Sequence, residues 1–240
     1  MKKFLFAALS ALVLVVPSMQ AQLFDSFKKQ AEKLLKDPSG FSEQEAADAI
    51  KQALTNGTSK GVDVLAATDG YLKNPLVVIP WPQEAKKVEN TLREIGLGGQ
   101  VDEAIVALNR AAEDAATGAK DIFIAAITEM TVQDAVNIVK GDSAAATNYL
   151  RRTTSDELTA KFTPVIQQSL EKTRATRYWE TVFTSYNKIP FVEKVNPNLT
   201  EYVTNKALDG LFTMILLEER EIRKNPAARV TDLLKKVFGG

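Results

Sequence analysis

The sequence predicts an all-α protein, a single multi-helix bundle domain with one extended, proline-rich crossing segment near residues 74–82. Nearly every long segment carries apolar residues at helical spacing, three or four positions apart. Helix-start signals recur between these segments, among them two S/T-x-x-E capping boxes. No repeat, low-complexity tract or linker divides residues 41–238, so we expect one helical domain over this range.

The N-terminus reads as a secretory signal peptide over residues 1–21. Lys2 and Lys3 precede an apolar run over residues 4–16, and Pro17 ends that run. A transmembrane anchor is the weaker alternative, because the run is shorter than the roughly 20 residues that span a bilayer. We therefore expect an exported protein, periplasmic or extracellular, with no transmembrane span after removal of the signal.

The overall charge argues against nucleic acid as a partner. The chain has 30 basic and 30 acidic residues, and loss of residues 1–21 removes two lysines and no acid. A balance of this kind provides no electrostatic footprint for nucleic acid or for an anionic membrane.

The composition also excludes several kinds of chemistry, because the chain contains no cysteine and no histidine. Ser-His and Cys-His nucleophile pairs and His- or Cys-ligated zinc and iron sites are therefore impossible. We expect no catalytic residue of these kinds, no cofactor and no metal site. Without disulfides, stability must come from packing alone.

Residues 22–40 predict an amphipathic lead-in helix followed by a linker, and the capping box Ser42-x-x-Glu45 predicts the start of the first domain helix. Small residues then recur at positions 46, 49, 53, 57 and 61. Such a ridge allows a second helix to approach closely. An alternative is that the ridge serves an oligomer of an architectural protein.

The segment Asn74–Pro82 interrupts the helical pattern. Three prolines push the residues before them into extended geometry, and the run between the first two is apolar and β-branched. With no second strand-like run nearby, we expect an extended crossing packed on helices. It either seals the core or forms the movable wall of a pocket, which makes Tyr71, Ile79 and Trp81 candidate ligand-binding residues.

Helical spacing resumes after Pro82. The pattern predicts a helix capped by Gly96 or Gly98, a break near Thr117-Gly118, and a short helix from Thr131 to Gly141. Further on, it predicts separate helices from Asp142 or Ser143 to Leu150 and from Thr154 onward, an aromatic helix over residues 175–189, a long helix over residues 200–225 whose residues 211–217 lie at the bundle centre, and a tail helix over residues 231–238.

Several polar clusters are candidate ligand sites. Asn109, Arg110 and Glu113 could orient a ligand, although a hydrogen-bond network between helices is the favoured interpretation. Tyr149, Arg151 and Arg152 form the best anion site of the chain, although stabilisation of a helix C-terminus by the two arginines is the favoured interpretation.

The neighbours of the acidic residues near the C-terminus indicate two different environments. Asp209 precedes an apolar run, so we expect it to be buried and paired with Arg110 or Arg152. Glu219 and Arg223 lie four residues apart in a charge-rich stretch, and we expect a solvated helix face with weak ion pairs.

Several motifs together resemble the bacterial domain-of-unknown-function family numbered 4197. They are DGYLKNPLVVIPWP, NRAAEDA, DAVNIVKGDSAAATNYLRRTTSDEL, KALDGLF and EEREIRKNPAARVTDLLKKVFG, in this order. The resemblance implies an exported or envelope-associated helical domain without an established activity. That family commonly has arginine where this chain has Val78 and leucine where it has Trp81, which weakens any anion-binding role of the segment.

These observations favour an exported, non-enzymatic helical module that holds an apolar or amphipathic small molecule or an envelope protein. A carboxylate-based hydrolase acting on cell-wall polymer is one alternative, and it requires two carboxylates in one cleft. An architectural oligomer subunit is the other.

Overall fold

The structure is a computed structural model that describes residues 42–173 and 175–224. The predicted signal peptide, lead-in helix and tail helix lie outside the described residues. Within them the chain forms eight α-helices and no strand: α1 (Glu43–Ala66), α2 (Lys86–Glu94), α3 (Gly98–Ala116), α4 (Ala119–Glu129), α5 (Val132–Lys140), α6 (Ala145–Glu171), α7 (Ala175–Tyr186) and α8 (Leu199–Lys224). A single 3₁₀ turn, Gln83–Ala85, precedes α2. The all-α prediction is confirmed.

Helices α1 and α8 pack closely in antiparallel orientation. A Cβ atom built on Gly57 would lie 3.4 Å from Glu218 Cβ, and one on Gly61 would lie 3.6 Å from Met214 Cβ. Ala49 and Ala53 on the same ridge are buried as well. These members of the ridge therefore serve helix contact inside the chain, as the favoured prediction had it, and are not free to join an oligomer.

Helix α6 is the central element, because it packs on both α3 and α8. The sequence predicted two helices here, and that prediction is wrong. Thr154 does not cap a new helix; its buried hydroxyl donates to the Leu150 carbonyl of the preceding turn at 2.7 Å. A stripe of buried side chains at four-residue spacing holds the long helix in the core: Leu150, Thr154, Leu158, Phe162, Ile166 and Leu170.

Other helix boundaries agree with the predictions. Gly96 has a φ of +85°, the left-handed conformation expected of a helix-terminating glycine. Helix α3 ends at Ala116 and α4 begins at Ala119, so the break falls at Thr117-Gly118. Thr131 starts α5 through a capping box with Asp134, whose N–H donates to Thr131 Oγ1 at 3.1 Å.

Helix α8 begins at Leu199, one residue from its predicted start, and its apolar run only partly fits the prediction of a central helix. Leu211, Phe212 and Ile215 are buried, whereas Leu217 is exposed. In the part of the chain that the structure describes, no single helix has the length and apolarity to cross a membrane. The pair α4 and α5 passes that test only when taken together, and it is bent by 102°.

A strap-bordered groove as candidate functional site

Residues 69–82, called the strap below, cross the bundle and are held by side chains of α3. The backbone N–H groups of Tyr71 and Leu72 both donate to Glu113 Oε1 at 3.1 Å. Farther along, the Ile79 N–H donates to Asn109 Oδ1 at 2.8 Å, and Asn109 Nδ2 donates back to the Ile79 carbonyl at 2.9 Å. Both α3 side chains are buried. These side chains thus supply hydrogen-bond partners to backbone that lies outside any helix. The sequence predicted an extended crossing, but it is not extended throughout: residues 75–77 form a turn, in which the Val77 and Val78 N–H groups donate to the Asn74 carbonyl at 3.1 and 2.9 Å.

Tyrosines fasten the strap on its other side. The Tyr71 hydroxyl donates to the Ala207 carbonyl at 2.7 Å, and the Tyr202 hydroxyl donates to the Pro80 carbonyl at 2.9 Å. Burial raises the pKa of Tyr71 far above its usual value, and burial, with a smaller effect of Glu84, raises that of Tyr202 to about 12. Both phenols therefore stay protonated as donors across the physiological pH range.

A glycine on α8 makes room for the strap. A Cβ atom on Gly210 would lie 2.7 Å from Tyr71 Cε1 and 3.2 Å from Val77 Cβ. The Tyr71 ring is fully buried and its hydroxyl is bonded, so it has no free direction in which to move. Glycine at position 210 therefore lets the Tyr71 ring and the Val77 side chain approach the backbone of α8 closely.

The predicted cluster of Asn109, Arg110 and Glu113 comes together only in part, because Arg110 pairs with Glu113 whereas Asn109 bonds Ile79 and Ile105. The two buried side chains bond the strap backbone, so the favoured prediction of a network between helices is wrong. Arg110 bridges two carboxylates, Asp69 Oδ1 and Glu113 Oε2, each at 2.6 Å. Lys73 and Arg110 together hold the pKa of Asp69 below its usual value.

Beside the strap lies a groove with a volume of about 940 Å³. Its walls come from the strap, the start of α3, the α2–α3 connection and α7. The residues that line it are Trp81, Leu92, Leu97, Gly99, Gln100, Val101, Asp102, Glu103, Ala104, Val106, Ala107, Arg110, Thr173, Trp179 and Val182. Most of these side chains are apolar. Sites that bind small molecules commonly have this size and this kind of lining.

The two tryptophans at the groove are fixed by their neighbours. Their ring centroids are 5.0 Å apart with a tilt of 58°, and Trp179 also stacks on Tyr202 at 5.7 Å. Trp81 Nε1 donates to the Ala85 carbonyl at 3.2 Å, and Trp179 Nε1 donates to the Asn196 carbonyl at 3.4 Å. Both side chains are buried, Trp81 being 7% and Trp179 3% exposed. With their indole N–H groups satisfied, they form a fixed and mostly covered part of the groove wall.

Charged groups at the groove are mostly engaged already. Arg93 joins α2 to α3 by bonding Glu89 Oε1 at 3.0 Å and Asp102 Oδ1 at 2.8 Å. In residues 42–173 and 175–224, no three acidic side chains are grouped in a way that would hold a metal ion. The groove is therefore lined mainly by apolar side chains, with polar side chains along one part of its wall.

The predicted ligand residues fall into three groups. Trp81 and Arg110 line the groove. Tyr71, Ile79 and Asn109 are fully buried at the strap, where they fix the groove wall without reaching its surface. The remaining four, Tyr149, Arg151, Arg152 and Asp209, do not line the groove.

Arg151 and Arg152 lie near the start of α6, so the favoured interpretation that they stabilise a helix C-terminus is wrong. The two guanidinium groups face different neighbours. The Arg151 guanidinium lies 4.4 Å from the centre of the Phe212 ring, and that of Arg152 lies 5.5 Å from the centre of the Tyr149 ring. Arg151 Nη1 is also 3.4 Å from Asp209 Oδ1. Asp209 was expected to be buried, but its side chain is 61% exposed, because it projects away from the strap contact of Gly210. Its partner is neither Arg110 nor Arg152.

The expectation of a solvated Glu219 is also wrong. Its buried carboxylate accepts from the Ala146 N–H at 3.1 Å and from the Thr147 N–H at 2.9 Å, and it pairs with Arg223 at 2.9 Å. It therefore satisfies backbone donors at the start of α6. A usable sequence signal was present, since Glu219 continues the buried face of Leu211 and Ile215 at four-residue spacing.

The sequence did not predict most of the groove-lining residues of α2 and α3, because an apolar stripe on a helix ordinarily marks a face that packs in the core.

Comparison with known families places these residues in a known domain family. The model of the family described as protein of unknown function (DUF4197) matches residues 40–239. The chain belongs to this family. No match was found among curated proteins or among solved structures. The matched residues include the strap, the groove and the Glu219 cap.

Proposed function

We propose that the groove binds an apolar or amphipathic small molecule and that the protein is a non-enzymatic binding module. The observation that carries the proposal is the groove of about 940 Å³ with an aromatic wall formed by Trp81 and Trp179. The strap that supports this wall is bonded at Tyr71, Ile79 and Pro80, so little conformational order would have to be created on binding.

The expected orientation of the ligand follows from the lining. Its apolar part would lie against Trp81, Trp179 and Val182, and its polar part would lie toward Gln100 and Arg110. Arg110 already bridges two carboxylates, so its positive charge is neutralised. Its contribution to the ligand would therefore be hydrogen bonds, not the attraction of an unpaired charge.

Intrinsic fluorescence tests this proposal directly, since Trp81 and Trp179 are the two tryptophans of the chain and both line the groove. Titration with a lipid extract from the source cell, or with a single-chain detergent as a defined probe, should shift or quench the emission saturably. Native mass spectrometry should then show a bound species of discrete mass. Emission that never changes, together with no bound species, would contradict the proposal.

Gly99 allows a matched pair of variants. A Cβ atom built there meets nothing within 4 Å, so a side chain enters open space at the groove. Gly99→Phe should therefore fill the groove and abolish binding without loss of stability, whereas Gly99→Ala should bind like the parent. Equal binding by both variants would place the ligand elsewhere.

We further propose that the module works outside the cytoplasm, in the periplasm or beyond it. The support is the signal-peptide pattern of residues 1–21. Cell fractionation followed by determination of the N-terminal residue of the accumulated protein tests this. A chain that starts near Gln22 in the exported fraction is expected, and an intact N-terminus in the cytoplasm would contradict export.

A further inference from the structure

The connection between α7 and α8 contains a loop that is closed at its base. Asn187 Nδ2 donates to the Val195 carbonyl at 2.7 Å, and the Val195 N–H donates to Asn187 Oδ1 at 2.9 Å. Val195 itself is buried. Residues 188–194, called the tip loop below, therefore project from a fixed base whose geometry does not depend on the tip.

The tip loop presents apolar side chains to water. Phe191 is fully exposed and Ile189 is 53% exposed. Phe191 also has a φ of +64°, a conformation that bulky residues rarely adopt. An exposed phenyl ring on a strained backbone gives the isolated domain no benefit. Such an outlier is a reason to look for an interaction made by this side chain.

The charges around the tip indicate the kind of partner. Lys188 and Lys194 flank the apolar residues on both sides, and neither forms an ion pair with any residue that the structure describes. Glu193 is the single acid in the loop, so residues 188–194 carry a net positive charge although the whole chain is neutral. Apolar side chains between lysines suit the boundary between acyl chains and anionic headgroups.

We infer that the tip loop is a membrane-contact site that inserts Ile189 and Phe191 into the interfacial region of an anionic lipid bilayer. Lys188 and Lys194 would contact the headgroups. The inference is independent of ligand binding, although the loop directly follows α7, which contributes Trp179 and Val182 to the groove.

A single labelled cysteine tests this inference, because the parent chain has no cysteine. Ile189→Cys carrying an environment-sensitive fluorophore is mixed with vesicles of phosphatidylethanolamine and phosphatidylglycerol, using protein in the form that the source cell accumulates. The emission should shift to the blue and be quenched by spin-labelled lipid. The same label at Leu76→Cys, a position 63% exposed outside the loop, should remain in water.

The substitution Phe191→Asn separates insertion from folding. Asparagine tolerates positive φ, so the thermal midpoint should not fall. In the Ile189→Cys background, vesicle affinity should fall about tenfold, the order expected for one lost aromatic side chain. Vesicles of phosphatidylcholine alone should bind more weakly than the anionic ones.

Three results would overturn the inference: a label at position 189 that stays in water while vesicles are present, equal affinity of Phe191→Asn and its parent, or equal affinity for neutral and anionic vesicles. Gly99→Phe, which blocks the groove, should bind vesicles like the parent. The membrane-contact site and the ligand groove can therefore fail separately.

Discussion

Asn109 bonds both backbone groups of Ile79, accepting from its N–H at 2.8 Å and donating to its carbonyl at 2.9 Å. One buried side chain thereby satisfies a residue of the strap in the way that a neighbouring strand would. The same arrangement recurs between Asn187 and Val195 at the base of the tip loop. In this all-helical domain, an asparagine side chain provides the pair of backbone hydrogen bonds that a neighbouring strand would otherwise make.

Asn109→Ala should lower the free energy of unfolding by about 2–4 kcal/mol, because it leaves two buried backbone groups of Ile79 without partners. Denaturant unfolding followed by circular dichroism measures this. Asn90→Ala, at an exposed position of α2, should change the free energy by less than about 0.5 kcal/mol. Equal small effects would mean that the strap does not depend on its amide clamp.

Gly210→Ala and Gly61→Ala should change stability in opposite directions. At position 210 the new methyl group meets the Tyr71 ring, which costs about 1–3 kcal/mol despite the better helix propensity. At position 61 the nearest atom would be 3.6 Å away, an ordinary contact, so alanine should stabilise the helix by up to about 1 kcal/mol. Paired thermal melts give the comparison. A neutral Gly210→Ala would show that the strap can shift away from α8.

The strap should weaken at high pH. The pKa of Tyr202 is about 12 in the folded protein and 10.0 for a tyrosine without this environment, so folding favours the protonated form. Its contribution is therefore fully present below pH 10.0 and is lost as the pH rises through about 12. Tyr71 acts in the same direction.

Urea unfolding at a series of alkaline pH values measures this slope. Tyr202→Phe should reduce the slope without abolishing it, since Tyr71 remains. The variant should also lose about 1 kcal/mol at neutral pH, because the Pro80 carbonyl loses its donor. An unchanged slope would rule out Tyr202 as one of its sources.

Glu219→Gln should destabilise the protein by about 2–3 kcal/mol, since the amide cannot accept from all three donors of α6 and loses the ion pair with Arg223. The neighbouring Glu218→Gln is the control. Glu218 pairs with exposed Lys60, and its loss should cost less than about 1 kcal/mol. If the two variants proved equally stable, the cap would contribute little to folding.

The predictions from sequence succeeded where a local pattern sets the structure. Gly96 and the Thr131 capping box ended and began helices where expected, because each acts within one turn of its own chain. The prediction failed at Thr154, whose side chain fits a cap but also bonds its own preceding turn. A capping motif does not reveal which of these two bonds forms, since packing of α6 against α3 and α8 decides it.

The sequence by itself determined the all-helical class, the position of the non-helical crossing segment and the absence of histidine and cysteine chemistry. Only the tertiary structure decided which polar groups meet. Asn109 is 30 residues from Ile79, and Glu219 is 73 residues from Ala146. Helical periodicity reports which side of an element is apolar, but not which distant element will cover it. The groove, the buried cap and the exposure of Asp209 all depend on which distant element packs against each apolar face.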